Sequence, residues 1–235
     1  MRFSMQRVWF WLKDVDMNKD YFGIAERVIR EKTNSRFSKG RQNHLTRSDF
    51  SIISNNCWAG TVYRYFGLPY QSPTAGLYFF GTEYVKFAGD LRHYLNTPIE
   101  FIDSCDSAHY ETLKSRNELS KPVGIIDDVE IVFLHYPTPE EARAKWERRV
   151  ERVNWDNLFI KFSQMNDCRE EDLRAFDSLE HTNKICFTAM RRPDIACSVY
   201  HPASVRGGGI TNDTDRFTQG FNLVDWLNSE PAKYC

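Results

Sequence analysis

Short apolar runs rich in β-branched residues alternate along this chain with stretches of helical period, and that alternation limits the fold more than any single residue does. Residues 123–126 and 129–134 have the strongest strand character. Thr138-Pro139-Glu140-Glu141 then opens a helix. Thr138 caps it, Pro139 fits the first position without losing a needed N–H, and Glu141 completes a capping box. Ala142, Trp146, Val150 and Val153 make its apolar stripe, Glu141 and Lys145 form an i,i+4 pair, and Arg148, Arg149 and Arg152 crowd its last turns, where positive charge suits the dipole. Further strands are expected at 50–53, 98–102, 110–115, 158–162, 184–188 and around Val199. Helices are expected at 21–32, after Cys57, at 84–95 with Thr82 as cap, at 170–176 and, as a final turn or helix, at 225–228. The alternation predicts a single α/β domain with a mixed sheet and helices on both faces, a three-layer, Rossmann-like arrangement.

Residues 1–47 read as an N-terminal extension and 48–235 as the α/β domain. In the extension, Val8-Trp9-Phe10-Trp11-Leu12 lies between Arg7 and Lys13 and is too short for a signal-peptide core. It reads as an aromatic patch packing onto the domain, with contact at a membrane surface as the alternative. Residues 33–41 read as a basic connector. No apolar run approaches the roughly 20 residues of a spanning helix. A formal net charge of −1 offers no electrostatic case for nucleic acid. The six cysteines form no C-x-x-C pair, which argues against a zinc ribbon and for reduced thiols in a cytoplasmic setting. Gly207-Gly208-Gly209 lacks the spacing of a phosphate-binding fingerprint and reads as a turn.

The chemistry is expected to centre on Phe50-Ser-Ile-Ile-Ser-Asn-Asn-Cys-Trp-Ala-Gly60. An apolar strand reaches a polar turn at Ser54-Asn55-Asn56, whose residue types cap helix starts, and Cys57 falls at the first turn. The positive end of a helix lowers a thiol's pKa and favours the nucleophilic thiolate. The alternative for Cys57 is a small buried hydrophobe. Asn55 and Asn56 offer amide donors for an oxyanion. Trp58 beside them and Tyr70 in the Pro- and Gly-rich loop 67–76 are further candidates for contact with substrate. So are Trp155 and Asn157, because rings stack on sugar faces and amides bond sugar hydroxyls. His135, at a strand end before a capped helix, is a candidate base for Cys57, with Asp127 or Asp128 orienting it. Asp128 and Glu130 share a strand face and offer hard oxygen ligands to Mg²⁺ or Mn²⁺; a turn at Asp127-Asp128 is the competing reading.

Several blocks together resemble a bacterial domain-of-unknown-function family whose members are often labelled exopolysaccharide biosynthesis protein. They are Ile53-Ser-Asn-Asn-Cys-Trp-Ala-Gly60 with Tyr63, Phe66-Gly-Leu-Pro-Tyr70, Ser72-Pro-Thr74 and Tyr84-Val-Lys-Phe87. Further along are Pro122-Val-Gly-Ile-Ile-Asp-Asp-Val-Glu130, Phe133-Leu-His-Tyr136, Trp146-Glu-Arg-Arg149, Asn154-Trp-Asp-Asn-Leu158 and Lys184-Ile-Cys-Phe-Thr188. The resemblance runs over residues 48–200. It implies a single α/β domain and a setting in capsule or exopolysaccharide synthesis, with no reaction attached. The expectation is an acyl (acetyl) transferase acting on a sugar, with an acyl donor such as acetyl-CoA and a carbohydrate, nucleotide-sugar or lipid-linked sugar as partner. The alternatives are a metal-dependent glycosyltransferase and a non-catalytic glycan-binding protein.

Overall fold

The computed structural model describes residues 21–202, 205–206 and 208–229. The aromatic patch at Val8–Leu12 lies outside them. The chain begins with helix α1 (Tyr21–Gln42), followed by strand β1 (Ser51–Ser54) and helix α2 (Trp58–Phe66). Next come α3 (Gly81–Gly89), α4 (Leu91–Asn96), β2 (Glu100–Ile102) and α5 (Tyr110–Ser115). The hairpin β3 (Val123–Ile126) and β4 (Val129–Val132) leads to α6 (Pro139–Val150), β5 (Leu158–Ser163) and α7 (Glu170–Ser178). The last elements are β6 (Lys184–Thr188), β7 (Ser198–Tyr200), the pair β8 (Val205–Arg206) and β9 (Gly209–Ile210), and α8 (Leu223–Leu227).

The fold is α/β. Strands β1, β5, β6 and β7 make a four-stranded parallel sheet in the order β1-β5-β6-β7. β2, β3 and β4 make a separate antiparallel sheet, which Tyr78 extends through a bridge to Val132. Central β5 is buried on both faces, which is why Leu-Phe-Ile-Lys-Phe-Ser reads as almost continuously apolar. Alternation splits it between two cores. Leu158, Ile160 and Phe162 join Ile53 and Cys186 against α3, α4, α6, α7 and the inner side of the antiparallel sheet. On the opposite face Phe159 joins Ile52, Ile185 and Phe187 against α2 and α8. Three layers result.

Several boundaries depart from expectation. Residues 33–41 are not a connector but the second half of α1, held because α1 packs on α2: Gln42 Nε2 donates to Phe66 O at 2.6 Å, and the Arg41 guanidinium lies 4.0 Å from the Tyr65 ring centroid. At the end of α2, Gly67 adopts φ 66°, and a Cβ there would come within 2.8 Å of Ser38. The expected helix 84–95 is two helices. Asp90 takes φ −142° between them and caps α4 by accepting from His93 N at 3.1 Å. Thr82 does not cap α3; it lies inside the helix and donates to Asp172 Oδ1 at 3.0 Å. Residues 110–115 form a helix rather than a strand; only Leu113 among them is buried, one apolar position per turn rather than the alternation of a strand. Thr138 caps α6 as expected, accepting from Glu141 N at 3.3 Å.

Candidate active site

In an open parallel sheet, ligands bind outside the carboxyl ends of the strands. Here β1 ends in Ser54-Asn55-Asn56-Cys57, and β5 ends in Lys161-Phe162-Ser163 alongside it. Asn55 ties these ends together: its Oδ1 accepts from Ser163 N, and its Nδ2 donates to Ser163 O, each at 3.0 Å. Both halves of the amide are engaged, so Asn55 builds the site rather than offering a donor to an oxyanion. The helix start is capped from just before it. Asn56 Oδ1 accepts from Trp58 N at 3.1 Å, and Ser54 Oγ accepts from Ala59 N at 3.4 Å.

A charged cluster lies buried around Asn56, the residue before Cys57. Lys161 is fully buried, and Asp213, from the loop after β9, is 1% exposed. Asp213 Oδ2 accepts from Lys161 Nζ, from Asn56 Nδ2 at 2.9 Å and from Ser163 Oγ at 2.5 Å. Lys161 also donates to Asn56 Oδ1 at 3.2 Å and lies 5.0 Å from the Phe187 ring centroid and 5.4 Å from that of Trp58. All three donors converge on one carboxylate oxygen. Asp213 Oδ1 is buried and has no protein partner among the described residues. Burial alone would raise the Asp213 carboxyl, but the Lys161 charge and the bonds from Asn56, Lys161 and Ser163 outweigh it and hold the group below its ordinary value. Burial draws Lys161 below its ordinary value, against the pull of Asp213.

Cys57 is the first residue of the helix start and is half-buried, with Sγ 3.7 Å from Leu77 O. The expected lowering of its pKa does not occur. Burial, then the Asp213 carboxylate, push the thiol up to about 11, over opposing effects of the Gly76 backbone, Arg64 and Lys161. Desolvation and a neighbouring anion both disfavour thiolate, and here they exceed the field of a nine-residue helix.

The other expected residues fall elsewhere. Asp127 and Asp128 form the tip of the β3–β4 hairpin, with Asp127 at φ 54°. Asp127 Oδ2 lies 2.9 Å from His93 Nε2, and Asp128 accepts from Tyr94 Oη at 2.7 Å and pairs with Lys86 at 3.1 Å. Neither reaches His135, because β4 separates them: seven residues from Asp128 to His135 span about 20 Å when largely extended. His135 is exposed, donates its backbone N–H to Gly76 O at 3.0 Å, and makes no hydrogen bond to the Cys57 thiol among the described contacts. Loss of solvent, with Lys121 and Arg64 nearby, holds its imidazole below the usual value. Glu130 accepts from Ser107 Oγ at 2.5 Å and from Ala108 N at 2.8 Å, so protein donors already serve both it and Asp128. No three His, Cys, Asp or Glu side chains among the described residues gather as a metal centre.

Trp58 is fully buried. Its Nε1 donates to Phe217 O at 2.8 Å, so it is a core ring and not a sugar platform. Tyr70 is half-buried beneath the Arg149 guanidinium, 5.1 Å from its ring centroid. Trp155 and Asn157 precede β5, at the opposite end of the sheet from Cys57. There Asn157 Nδ2 donates to Asp49 Oδ1 at 3.0 Å, and Arg92 lies 4.6 Å from the Trp155 ring centroid. The sequence reading missed Lys161, Ser163 and Asp213. A lysine inside an otherwise apolar strand was the available signal, because such a charge requires a buried partner.

Among the described residues, no helix is long and apolar enough to cross a membrane. The chain is 31% identical over 194 residues to a Haemophilus influenzae protein described as uncharacterized, covering 80% of this chain and 88% of that one. Residues 28–228 match the family defined by the domain of unknown function DUF1919, so the matched region takes in most of α1 and the Asp213 loop, beyond the blocks recognised in the sequence. The chain belongs to the DUF1919 family.

Proposed function

We propose that this chain is a transferase of exopolysaccharide or capsular polysaccharide assembly that moves an acyl group onto a sugar, with Cys57 as the sulfur that carries the acyl group. The observation that carries this reading is the position of Cys57: a half-buried thiol at a strand-to-helix junction, next in the chain to Asn56, which hydrogen-bonds both members of the buried Lys161–Asp213 pair. The polysaccharide setting comes from the resemblance described above. The competing roles have weaker support. Asp128 and Glu130 are served by protein donors, and Trp155 and Asn157 lie far from the thiol.

In the first step Cys57 Sγ attacks the carbonyl carbon of a thioester donor. The new C–S bond replaces the old one, and the departing sulfur takes the Cys57 proton. In the second step a sugar hydroxyl attacks the Cys57 thioester, forming an ester and returning its proton to Sγ. At rest the thiol stays protonated, as a pKa of about 11 requires. The proton therefore leaves Sγ only as the new C–S bond forms, passing to the departing sulfur in the same step.

The test is intact-protein and peptide mass spectrometry after incubation with acetyl-CoA, with and without an oligosaccharide acceptor. The expected result is an acetyl group on Cys57 that acceptor discharges, and loss of transfer in Cys57→Ala with an unchanged melting curve. Acetyl transfer that persists undiminished in folded Cys57→Ala would sink the reading.

A further inference from the structure

The backbone at Ala75-Gly76-Leu77 gathers three segments around the candidate thiol. Leu77 O lies 3.7 Å from Cys57 Sγ, and Gly76 O accepts from His135 N at 3.0 Å. Ala75 O accepts from Tyr136 Oη and from Arg149 Nη1, each at 2.7 Å. Ala75 also packs on the start of α2, where a Cβ at Gly60 would stand 3.7 Å from its own. Arg64 reaches the same place from further along α2. Thr61 N donates to Cys57 O at 3.3 Å, and Arg64 Nη2 donates to Thr61 Oγ1 at 3.2 Å, so the guanidinium turns back along the helix toward Cys57.

The groups gathered there are cationic and lack counter-charges. Arg149 is half-buried, and its Nη1 also donates to Tyr136 Oη at 2.5 Å. A carbonyl and a phenol orient a guanidinium without neutralising it. Its Nε and Nη2 have no acceptor among the described residues, and the Arg64 guanidinium has none beyond Thr61. No carboxylate pairs with Arg64, Arg149, Lys121 or His135 among the described residues. The acid that bears on Cys57, Asp213, is already held by Lys161, Asn56 and Ser163. Burial lifts the Tyr136 hydroxyl above its ordinary value, against the Arg149 charge and with a contribution from Cys57, which sets arginine and sulfur around one phenol. Beyond loss of solvent, the Lys121 and Arg64 charges hold the His135 imidazole down, so Lys121 belongs to the same edge. A guanidinium presents five donors in a rigid fork suited to carboxylate and phosphate oxygens.

Resting on Cys57 as the acyl-carrying sulfur, we infer that the acceptor is an acidic sugar, with its anionic group on Arg149 and Arg64 and one hydroxyl directed at the Cys57 thioester. The anion belongs to the acceptor and not to the donor because of where the arginines stand. In a coenzyme A thioester the pantetheine arm keeps the diphosphate many bonds from the sulfur. Arg149, by contrast, is bound to the same three-residue backbone that Cys57 touches. A neutral sugar would leave both guanidiniums without a counter-charge. An anionic one gains charge-assisted bonds in a partly desolvated place, where they are stronger than in water. A uronate carboxylate and a sugar phosphate both offer a pair of oxygens to one guanidinium fork, so the two sources share this chemistry.

The experiment is isothermal titration calorimetry of the full chain with glucuronate, glucosyl phosphate and glucose at constant ionic strength, repeated on Arg64→Gln and Arg149→Gln. At least one acidic sugar is expected to bind about tenfold or more tighter than glucose, and each variant to weaken that binding about tenfold. Preference for glucuronate identifies a uronate acceptor, and preference for glucosyl phosphate a sugar phosphate; both uphold the site. The bound acid is also expected to slow iodoacetamide alkylation of Cys57 while leaving exposed Cys105 unchanged, read in peptides. Absence of heat with both acidic sugars at tens of millimolar overturns the inference, as does glucose binding equally well. Wild-type affinity in the folded variants, or binding that leaves Cys57 alkylation unchanged, also overturns it. If Arg149→Gln does not fold, Arg64→Gln, at an exposed position, carries the same expected loss. Arginine-dependent binding of an acidic sugar beside a Cys57 that takes no acetyl group would sink the transfer reading and leave the anion site standing. An acetylated Cys57 with no preference for acidic sugars would do the reverse.

Discussion

A lysine in the middle of a doubly buried strand is tolerated only when something holds its charge, and Asp213, 52 residues away in sequence, does so for Lys161. Removing one partner leaves the other charged and buried, so Lys161→Met or Asp213→Asn is expected to cost about 3–5 kcal/mol in urea unfolding, with the double mutant losing less than the sum. Because the folded Asp213 carboxyl lies below its ordinary value, its contribution is complete above the unfolded value of about 3.9 and fades as pH falls through the folded one. The stability gap between wild type and Asp213→Asn should therefore shrink on acidification below about pH 4 and stay flat from there to neutrality. A gap that widens in acid would contradict the pairing. Cys57 supports a separate test at the same scale. With a thiol at about 11, its alkylation should lag behind that of exposed Cys105 at neutral pH and accelerate as pH climbs past 9, read residue by residue in peptides. Lys161 was visible in the sequence as a misfit within an apolar strand. Asp213, in the run Thr211-Asn-Asp-Thr-Asp215, looks like any polar turn, so no local pattern joined the two.

At the scale of elements, capping chemistry was largely readable, because a cap is a bond between near neighbours. Thr138 with Pro139 placed the start of α6 correctly, and the β3–β4 turn was weighed as an alternative to a metal site. What failed was the division of long periodic stretches and the identity of short ones. Asp90 breaks 84–95 into two helices, and 110–115 is helical though its residues favour neither state strongly. Gly124 shows how tightly the antiparallel sheet is seated. A Cβ there would lie 2.6 Å from Ile99 Cδ1 and 2.9 Å from Phe133 Cε2. Gly124→Ala is expected to destabilise by about 1–3 kcal/mol through overpacking, measured as a lower denaturation midpoint at constant m-value. An unchanged midpoint would show that Ile99 and Phe133 yield freely.

At the scale of the molecule, β5 lies between two other parallel strands and between two cores. Native-state hydrogen exchange should find the slowest amides at residues 159–162 and markedly faster exchange in α1 and α8, which cover one outer layer. Equal protection throughout would mean that the layers open only together. The sequence by itself determined the α/β class, the alternation of strands and helices, the cap of α6 and the strand-to-helix junction at Cys57. These follow from propensity, period and capping, which act over a few residues. Only the tertiary structure decided that Asp213 meets Lys161, that burial raises the Cys57 thiol instead of lowering it, and that His135 stands apart from Asp127 and Asp128. Each of those outcomes depends on desolvation or on contacts between distant segments, quantities set by how the layers pack.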